Sequence, residues 1–321
     1  MRDVGMQSQA RPYAIFDVFS DRALAGNPLA VVFEADGLDD AALQGIAAEF
    51  NLSETVFVLS PENAHHTAHL RIFTPVQELP FAGHPTVGAA VALAHRRNGS
   101  AENGAGHCDT VLMLEERAGD IRAVVSMRNH AGDDRPAGFA EFDLPRLPRQ
   151  VDCIIKRDQV ADALGINPGS VGFENHVVSV WSAGVPYVLI PVRDRSVAEN
   201  CQCDPARWEA LAPIDEGILA SAFVYCRGGI DHSADFHARM FAPCSGTPED
   251  PATGSAVAAL AGAVNAFDDL LEGHHIRIVE QGIEMGRPSK IHLHMDVTAG
   301  RITRARLGGA AVRVAEGLLY V

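Results

Sequence analysis

The 321-residue sequence predicts an α+β protein made of two related halves, each a sheet wrapped round one small-residue helix. Three observations carry this. The stretch Arg71 to Ala94, RIFTPVQELPFAGHPTVGAAVALA, recurs as Arg239 to Ala261, RMFAPCSGTPEDPATGSAVAALA. A similarity spaced by about half the chain marks two copies of one unit, not a short solenoid repeat. Both copies end in stretches dominated by Ala and Gly, and a helix with so little side chain lets strands approach it closely. Strands and these helices are mixed without βαβ alternation, which disfavours a doubly wound sheet.

In chain order, strands are expected at Tyr13 to Phe19 and Leu29 to Phe33, around the turn Gly26-Asn27-Pro28. Asp39 to Phe50 has helical spacing, with Asp39 or Asp40 as its cap. The polar NLSET at 51 to 55 opens into a strand from Val56 to Leu59. Each repeat copy then reads as strand, loop and helix N-terminus. Alignment of the copies sets Pro85 against Pro251 and Gly88 against Gly254, with Val56-Phe57-Val58 upstream against Ala222-Phe223-Val224. Proline suits a first helical position, where its missing N–H costs nothing. His84 and Asp250 thus fall at the two helix starts.

Arg96 to Thr110 and Asn129 to Gly138 read as loops, with paired strands at Val111 to Glu115 and Ile121 to Met127 between them. Pro145 to Pro148 is the expected crossing between halves. Helices follow at Asp158 to Leu164 and Ala206 to Leu211, with strands Val177 to Trp181 and Tyr187 to Pro191 around Gly184. The last expected strands are Ile276 to Val279, Lys290 to Met295, Ile302 to Leu307 and Val312 to Ala315, with Gly308-Gly309 and Gly317 as turns.

Composition narrows the function. A chain of this length exceeds the size at which single cores usually split, so two domains are expected. Lys+Arg is 26 against Asp+Glu 41, a formal charge of −15. That argues against nucleic acid and anionic membranes as partners. Met1 to Arg11 is polar and no stretch reaches transmembrane length, so a cytoplasmic protein is expected. Six scattered cysteines make no disulfide scaffold, and Cys201-x-Cys203 lacks a second pair for zinc. His65, His66 and His69, like His292 and His294, lack carboxylate or cysteine companions at metal-ligand spacing, so no metal is expected. No G-x-G-x-x-G, P-loop or G-x-S-x-G supports a nucleotide, a flavin or a serine nucleophile.

Helix N-termini expose backbone N–H groups and partial positive charge, so two facing each other make a pocket for a small anion, in this setting a carboxylate. Taken singly, Asp250 reads as an ordinary N-cap and Glu54 as a surface carboxylate. The pairing of His84 with Asp250 across a repeat, beside Gly83, Gly254 and Ser255, shifts the reading towards a site.

Gly26-Asn27-Pro28, NLSET, ELPFAGHPTVGAA at 78 to 90, EDPATGSA at 249 to 256, EQGIEMGRPS at 280 to 289 and LGGAAVRVAEG at 307 to 317 span nearly the whole chain in order. On these motifs the sequence resembles the PhzF-like (phenazine biosynthesis) isomerase family, which shares its fold with diaminopimelate epimerase and proline racemase. The resemblance implies two pseudo-symmetric domains, each a curved mixed or antiparallel sheet round a central helix, with the active site in the cleft between them. The boundaries would be 12–145, completed by the C-terminal strand at about 305–321, and 146–304. It also implies a homodimer that needs no cofactor. By position, Glu54 matches the family's catalytic carboxylate, His84 its histidine and Asp250 its aspartate. Gly83, Gly254 and Ser255 match substrate-holding groups, and Asn27 a residue near the pocket.

The leading expectation is therefore a cofactor-independent isomerase that moves a proton on a small carboxylate-bearing substrate. A glutamate serves such chemistry when burial raises its pKa. The alternatives are an amino-acid racemase or epimerase, a lyase on the same fold, and a non-catalytic small-molecule binding protein. Relatives that racemise use cysteines at the two helix starts. Here those starts carry His84 and Asp250, and Cys244 lies several residues before its helix.

Overall fold

The first strand, Ala10–Val18, is rich in the β-branched and aromatic residues that suit a pleated surface. It pairs antiparallel with Asn27–Val32 on one side and with the end of the chain on the other. The structure is a computed structural model that describes residues 10–98, 108–128, 137–245 and 247–321. The loops expected at 96–110 and 129–138 lie largely outside these residues.

From Asn27–Val32 the sheet continues through Glu54–Leu59 (parallel), Ala68–Phe73 (antiparallel), Cys108–Glu116 (parallel), Gly119–Arg128 and Ala137–Asp143 (both antiparallel). It then reaches Arg301–Tyr320, which returns to Ala10–Val18 and closes the ring. Inside lies the helix Gly83–Asn98, whose Val87, Ala89, Ala90, Val91, Ala92 and Ala94 are buried. The second half repeats the order: Ser179–Ser182, Pro186–Pro191, Ser221–Arg227, Phe236–Ala242, Gly273–Gln281, Ser289–Thr298 and again Arg301–Tyr320. Parallel and antiparallel pairings alternate identically in the two halves. The helix Gly254–Phe267 fills this second sheet, buried from Ala256 to Val264. Small side chains are what allow strands to surround these helices on all sides.

Arg301–Tyr320 is one strand, not the two short ones expected. Gly308, Gly309 and Gly317 are not turns. They sit where the backbone passes close to a neighbour: a Cβ at Gly308 would lie 2.7 Å from the Ala140 carbonyl oxygen, and one at Gly309 would lie 2.3 Å from the Phe19 ring. The strand pairs with Ser289–Thr298 in one half and with Ala10–Val18 in the other, so it belongs to both.

Strand register also corrects the alignment of the two copies. Arg71 lies opposite Phe57, and Arg239 opposite Val224. The counterpart of Phe57 is therefore Val224, and that of Glu54 is Ser221. Arg71 grips Glu78 through Nε and Nη2, both at 2.8 Å, and Arg239 grips Glu249 in the same way at 2.8 and 2.9 Å. Each glutamate precedes, by the same spacing, the glycine that opens its helix. Hence Gly254 corresponds to Gly83, Pro251 to Pro80 and Ser255 to His84. The small-residue helices are so alike in composition that matching them by sequence slides from Gly83 to Gly88. Asp250 consequently does not cap a helix. It ends the strand Thr247–Asp250, and Thr253 takes the flanking position.

Candidate functional site

Helix Asp40–Phe50 ends at Asn51, which turns left-handed (φ 50°) and releases the chain towards the strand that Glu54 begins. Glu54 pairs with Leu29 and its side chain is 17% exposed. His84, second in its helix, is buried and brings Nε2 to 3.4 Å from Glu54 Oε2. Both atoms are buried and neither has a hydrogen-bond partner. Polar atoms left in this state are costly, and they concentrate where a ligand is to be met.

Asp250 enters from the second half. Its Oδ1 accepts from Asn27 Nδ2 at 2.9 Å and from Ser53 Oγ at 3.3 Å, and its Oδ2 accepts from Thr253 Oγ1 at 2.5 Å. Asn27, fully buried, also donates to the Ala252 carbonyl at 3.1 Å. Burial lifts Asp250 to about 6, against the opposing hydrogen bonds from Thr253, Asn27 and Ser53. Burial, then the charge of Asp250, pushes Glu54 up to about 8. Burial alone pushes His84 down to about 3. Burial thus favours the protonated form of Glu54 and the neutral imidazole of His84, while the hydrogen bonds to Asp250 favour its ionised form.

The two central helices meet head to head at this point. A Cβ on Gly83 would lie 3.1 Å from the Gly254 Cα, and one on Gly254 would lie 3.2 Å from the Gly83 Cα. A side chain at either position would require the facing helix start to give by a few tenths of an ångström. The close approach converges the unpaired N–H groups and partial positive charges of two helix starts on one spot. Ser255 Oγ is 2.7 Å from the Tyr187 hydroxyl. Burial, partly offset by that bond, holds the Tyr187 phenol above its usual range, and the charges of Asp250 and Glu54 act in the same direction.

All seven candidates are therefore gathered at the junction of the halves. Sequence reasoning passed over Ser53, Tyr187, Thr253 and Gln281. Tyr187 had a signal: Gly184-Val185-Pro186-Tyr187 repeats the Gly-x-Pro of Gly26-Asn27-Pro28-Leu29 at the same place in the second sheet. The histidines set aside as metal ligands have other company. His66 Nδ1 lies 3.0 Å from Glu115 Oε1, and His294 Nδ1 lies 3.3 Å from His274 Nε2. Among the described residues no helix is long and apolar enough to cross a membrane.

The profile of the phenazine biosynthesis-like protein family matches residues 16–317. The chain belongs to the PhzF-like (PhzC-PhzF) family. It is 50% identical over 314 residues to an uncharacterized isomerase of Mesorhizobium japonicum, covering 98% of this chain and all of that one. It is 34% identical to the trans-2,3-dihydro-3-hydroxyanthranilate isomerase of Pseudomonas chlororaphis, over 96% of this chain and 99% of the other. A crystal structure of a PhzF-family protein from Bacillus anthracis superposes with a TM-score of 0.82 at 24% identity, covering 98% of this chain and 100% of that one. The PhzF-like chain is accordingly an isomerase with the α+β, epimerase-like fold expected from its motifs.

Proposed function

We propose that this PhzF-like isomerase moves a proton between carbons of a small carboxylate-bearing substrate, with Glu54 as its one acid–base group. The observation that carries the reading is the pair Glu54–His84: two buried, otherwise unpartnered polar atoms 3.4 Å apart at the meeting of two helix starts. The substrate carboxylate would rest on the backbone N–H groups at Gly83 and Gly254 and on the Ser255 hydroxyl. Ionised Glu54 would take a proton from an acidic C–H. The electron pair left behind shifts the double bond, with the developing negative charge stabilised by the helix starts. The same carboxyl would then return the proton to another carbon on the same face of the molecule. His84, neutral, would hold a substrate heteroatom or the carboxyl of Glu54 in place. Asp250, anchored by Asn27, Ser53 and Thr253, would set the proton affinity of Glu54.

Several features support a single base. The counterpart of Glu54 is Ser221, and the helix starts carry no thiol. Cys244 is exposed, 3.9 Å from the Pro205 carbonyl. On this reading the cleft lies between a domain of 12–145 with about 305–321 and a domain of 146–304. The homodimer and the freedom from cofactors implied by the resemblance are part of the same proposal, and sedimentation would check the first.

The test is proton exchange followed by NMR in D₂O. A panel of small cyclic acids and amino acids, including trans-2,3-dihydro-3-hydroxyanthranilate, is incubated with the wild type and with Glu54→Gln. Deuterium entering one compound with the wild type alone is expected. Equal exchange by the variant would remove Glu54 from the mechanism. Rapid inactivation by iodoacetamide labelling at Cys244 would revive a thiol racemase.

A further inference from the structure

The turn that follows strand Gly273–Gln281 takes no part in the proposed proton transfer, yet it touches both halves of the site. Gln281 is fully buried. Its Nε2 donates to the Asp250 carbonyl at 2.7 Å and to Thr253 Oγ1 at 3.0 Å, and its Oε1 accepts from the Thr253 N–H at 3.1 Å. Gly282 (φ +77°) lies flush on Pro251, since a Cβ there would stand 2.5 Å from the Pro251 carbonyl oxygen and 2.4 Å from that of Arg287. The Arg287 N–H closes the turn on the Gly282 carbonyl at 2.9 Å. Glu280 and Glu284, on either side, fasten it to buried His237 at 2.9 and 2.8 Å.

From this anchored turn Arg287 reaches into the first half. Its Nη2 donates to Asp17 Oδ1 at 2.5 Å and to the Ala25 carbonyl at 2.8 Å, and its Nε donates to the Gly26 carbonyl at 2.8 Å. The Gly26 N–H in turn donates to the Pro288 carbonyl at 3.0 Å. Buried Asp17 also accepts from the Leu24 N–H at 2.6 Å. The next residue is Asn27, whose amide meets Asp250. Asn27 and Asp250 are 223 positions apart in sequence, so nothing local fixes their spacing. A rigid guanidinium fork satisfies three acceptors at once, which a lysine ammonium on a flexible stem does not reproduce.

We propose that Arg287 is a positioning residue: it grips the loop before Asn27 while its own turn is fastened to the loop of Asp250, and so holds the Asn27–Asp250 contact in register. It acts through Asn27 and touches no reacting group. The inference rests on the reading of Asp250 as part of the acid–base set.

The experiment uses protein labelled with ¹³C at aspartate carboxyls, in a Glu54→Gln background so that Asp250 titrates without that neighbour. Its resonance is identified by its loss in Asp250→Asn. The groups facing Asp250 are then the donors Asn27, Ser53, Thr253 and the Ala252 N–H, with the Tyr187 phenol within reach of its charge. Hydrogen bonds to a carboxylate lower its pKa. Arg287→Met is therefore expected to move the Asp250 midpoint upward by about half a pH unit or more. Asn27→Ala should do the same, the two together should add nothing further, and Arg287→Lys should fall between. An unchanged midpoint in Arg287→Met, or in Arg287→Lys where the methionine variant does not fold, overturns the proposal and leaves Arg287 as a staple between the halves. The titration needs no substrate, so failure of the isomerase reading would show in the exchange assay and leave this result legible.

Discussion

In the first half, the strand beside the helix start begins with Glu54, and the second helical residue is His84. In the second half, the same two positions hold Ser221 and Ser255. What the halves keep in common is the frame: the order of parallel and antiparallel strands, the Arg–Glu grip below each loop, and the glycine at each helix start. What they do not share is every group that titrates near neutral pH in the cleft. A symmetrical frame therefore carries an asymmetric set of groups: on the proposed mechanism the proton is held on one side and Asp250 supplies its charge from the other.

The sharpest way to break this comparison is to exchange the two positions. Glu54→Gln should lower kcat by about 10²–10⁴-fold, the usual range for losing a positioned acid–base group. Adding Ser221→Glu should not recover it, because His84 and the Asp250 contacts face only the first position. Recovery of exchange in the double variant would mean the halves are interchangeable.

The two Arg–Glu grips give the next largest effect. Arg239 is 9% exposed and also donates to the carbonyls of Ala198, Glu199 and Cys201. Its removal strands Glu249 and three carbonyls, so Arg239→Ala should cost about 3–5 kcal/mol in urea unfolding. Arg71 is 19% exposed and shares solvent-exposed Asp40, and Arg71→Ala should cost about 1 kcal/mol. Equal losses would show that the second half is no more tightly bound at this point than the first.

The pH dependence tests the division of labour between the carboxyls. On the proposed mechanism ionised Glu54 accepts the proton, so kcat/KM should rise with pH through about 8. Asp250→Asn removes a charge that raises Glu54 and should shift that limb to lower pH. The same displacement predicts a stability effect. The folded pKa of Glu54 lies above its ordinary 4.5, so its contribution is intact below that value and is lost as pH rises through about 8. Glu54→Gln should therefore melt higher than the wild type at pH 9, with the gap closing towards pH 5. A gap independent of pH would mean Glu54 is not held protonated by the fold.

The sequence carried the site further than it carried the fold around it. The two small-residue helices were legible from composition, and Glu54, His84 and Asp250 were marked as candidates by short motifs, although Asp250 was read as a helix cap. Three things were not legible. The alignment of the halves slid because Ala and Gly repeat along both helices with little to mark register. Arg301–Tyr320 looked broken because glycine reads as a turn, when here it makes room for the Ala140 backbone and the Phe19 ring. Asn27 lies more than two hundred positions from Asp250, and Asp17 from Arg287, and no local pattern encodes such a contact.

Tyr187 supplies the smallest test. Its counterpart in the first half is Leu29, which packs and has no polar end. The extra hydroxyl meets Ser255 at 2.7 Å and so orients the side chain of the second residue of that helix. A single such bond contributes about 1 kcal/mol. Tyr187→Phe should then raise KM by about 5-fold with kcat little changed, whereas Ser255→Ala should raise it at least as much. The double variant should match Ser255→Ala alone, because the phenol acts only through that serine. Additive losses would place Tyr187 in direct contact with substrate and would make the second half's Gly-x-Pro-Tyr a recognition element in its own right.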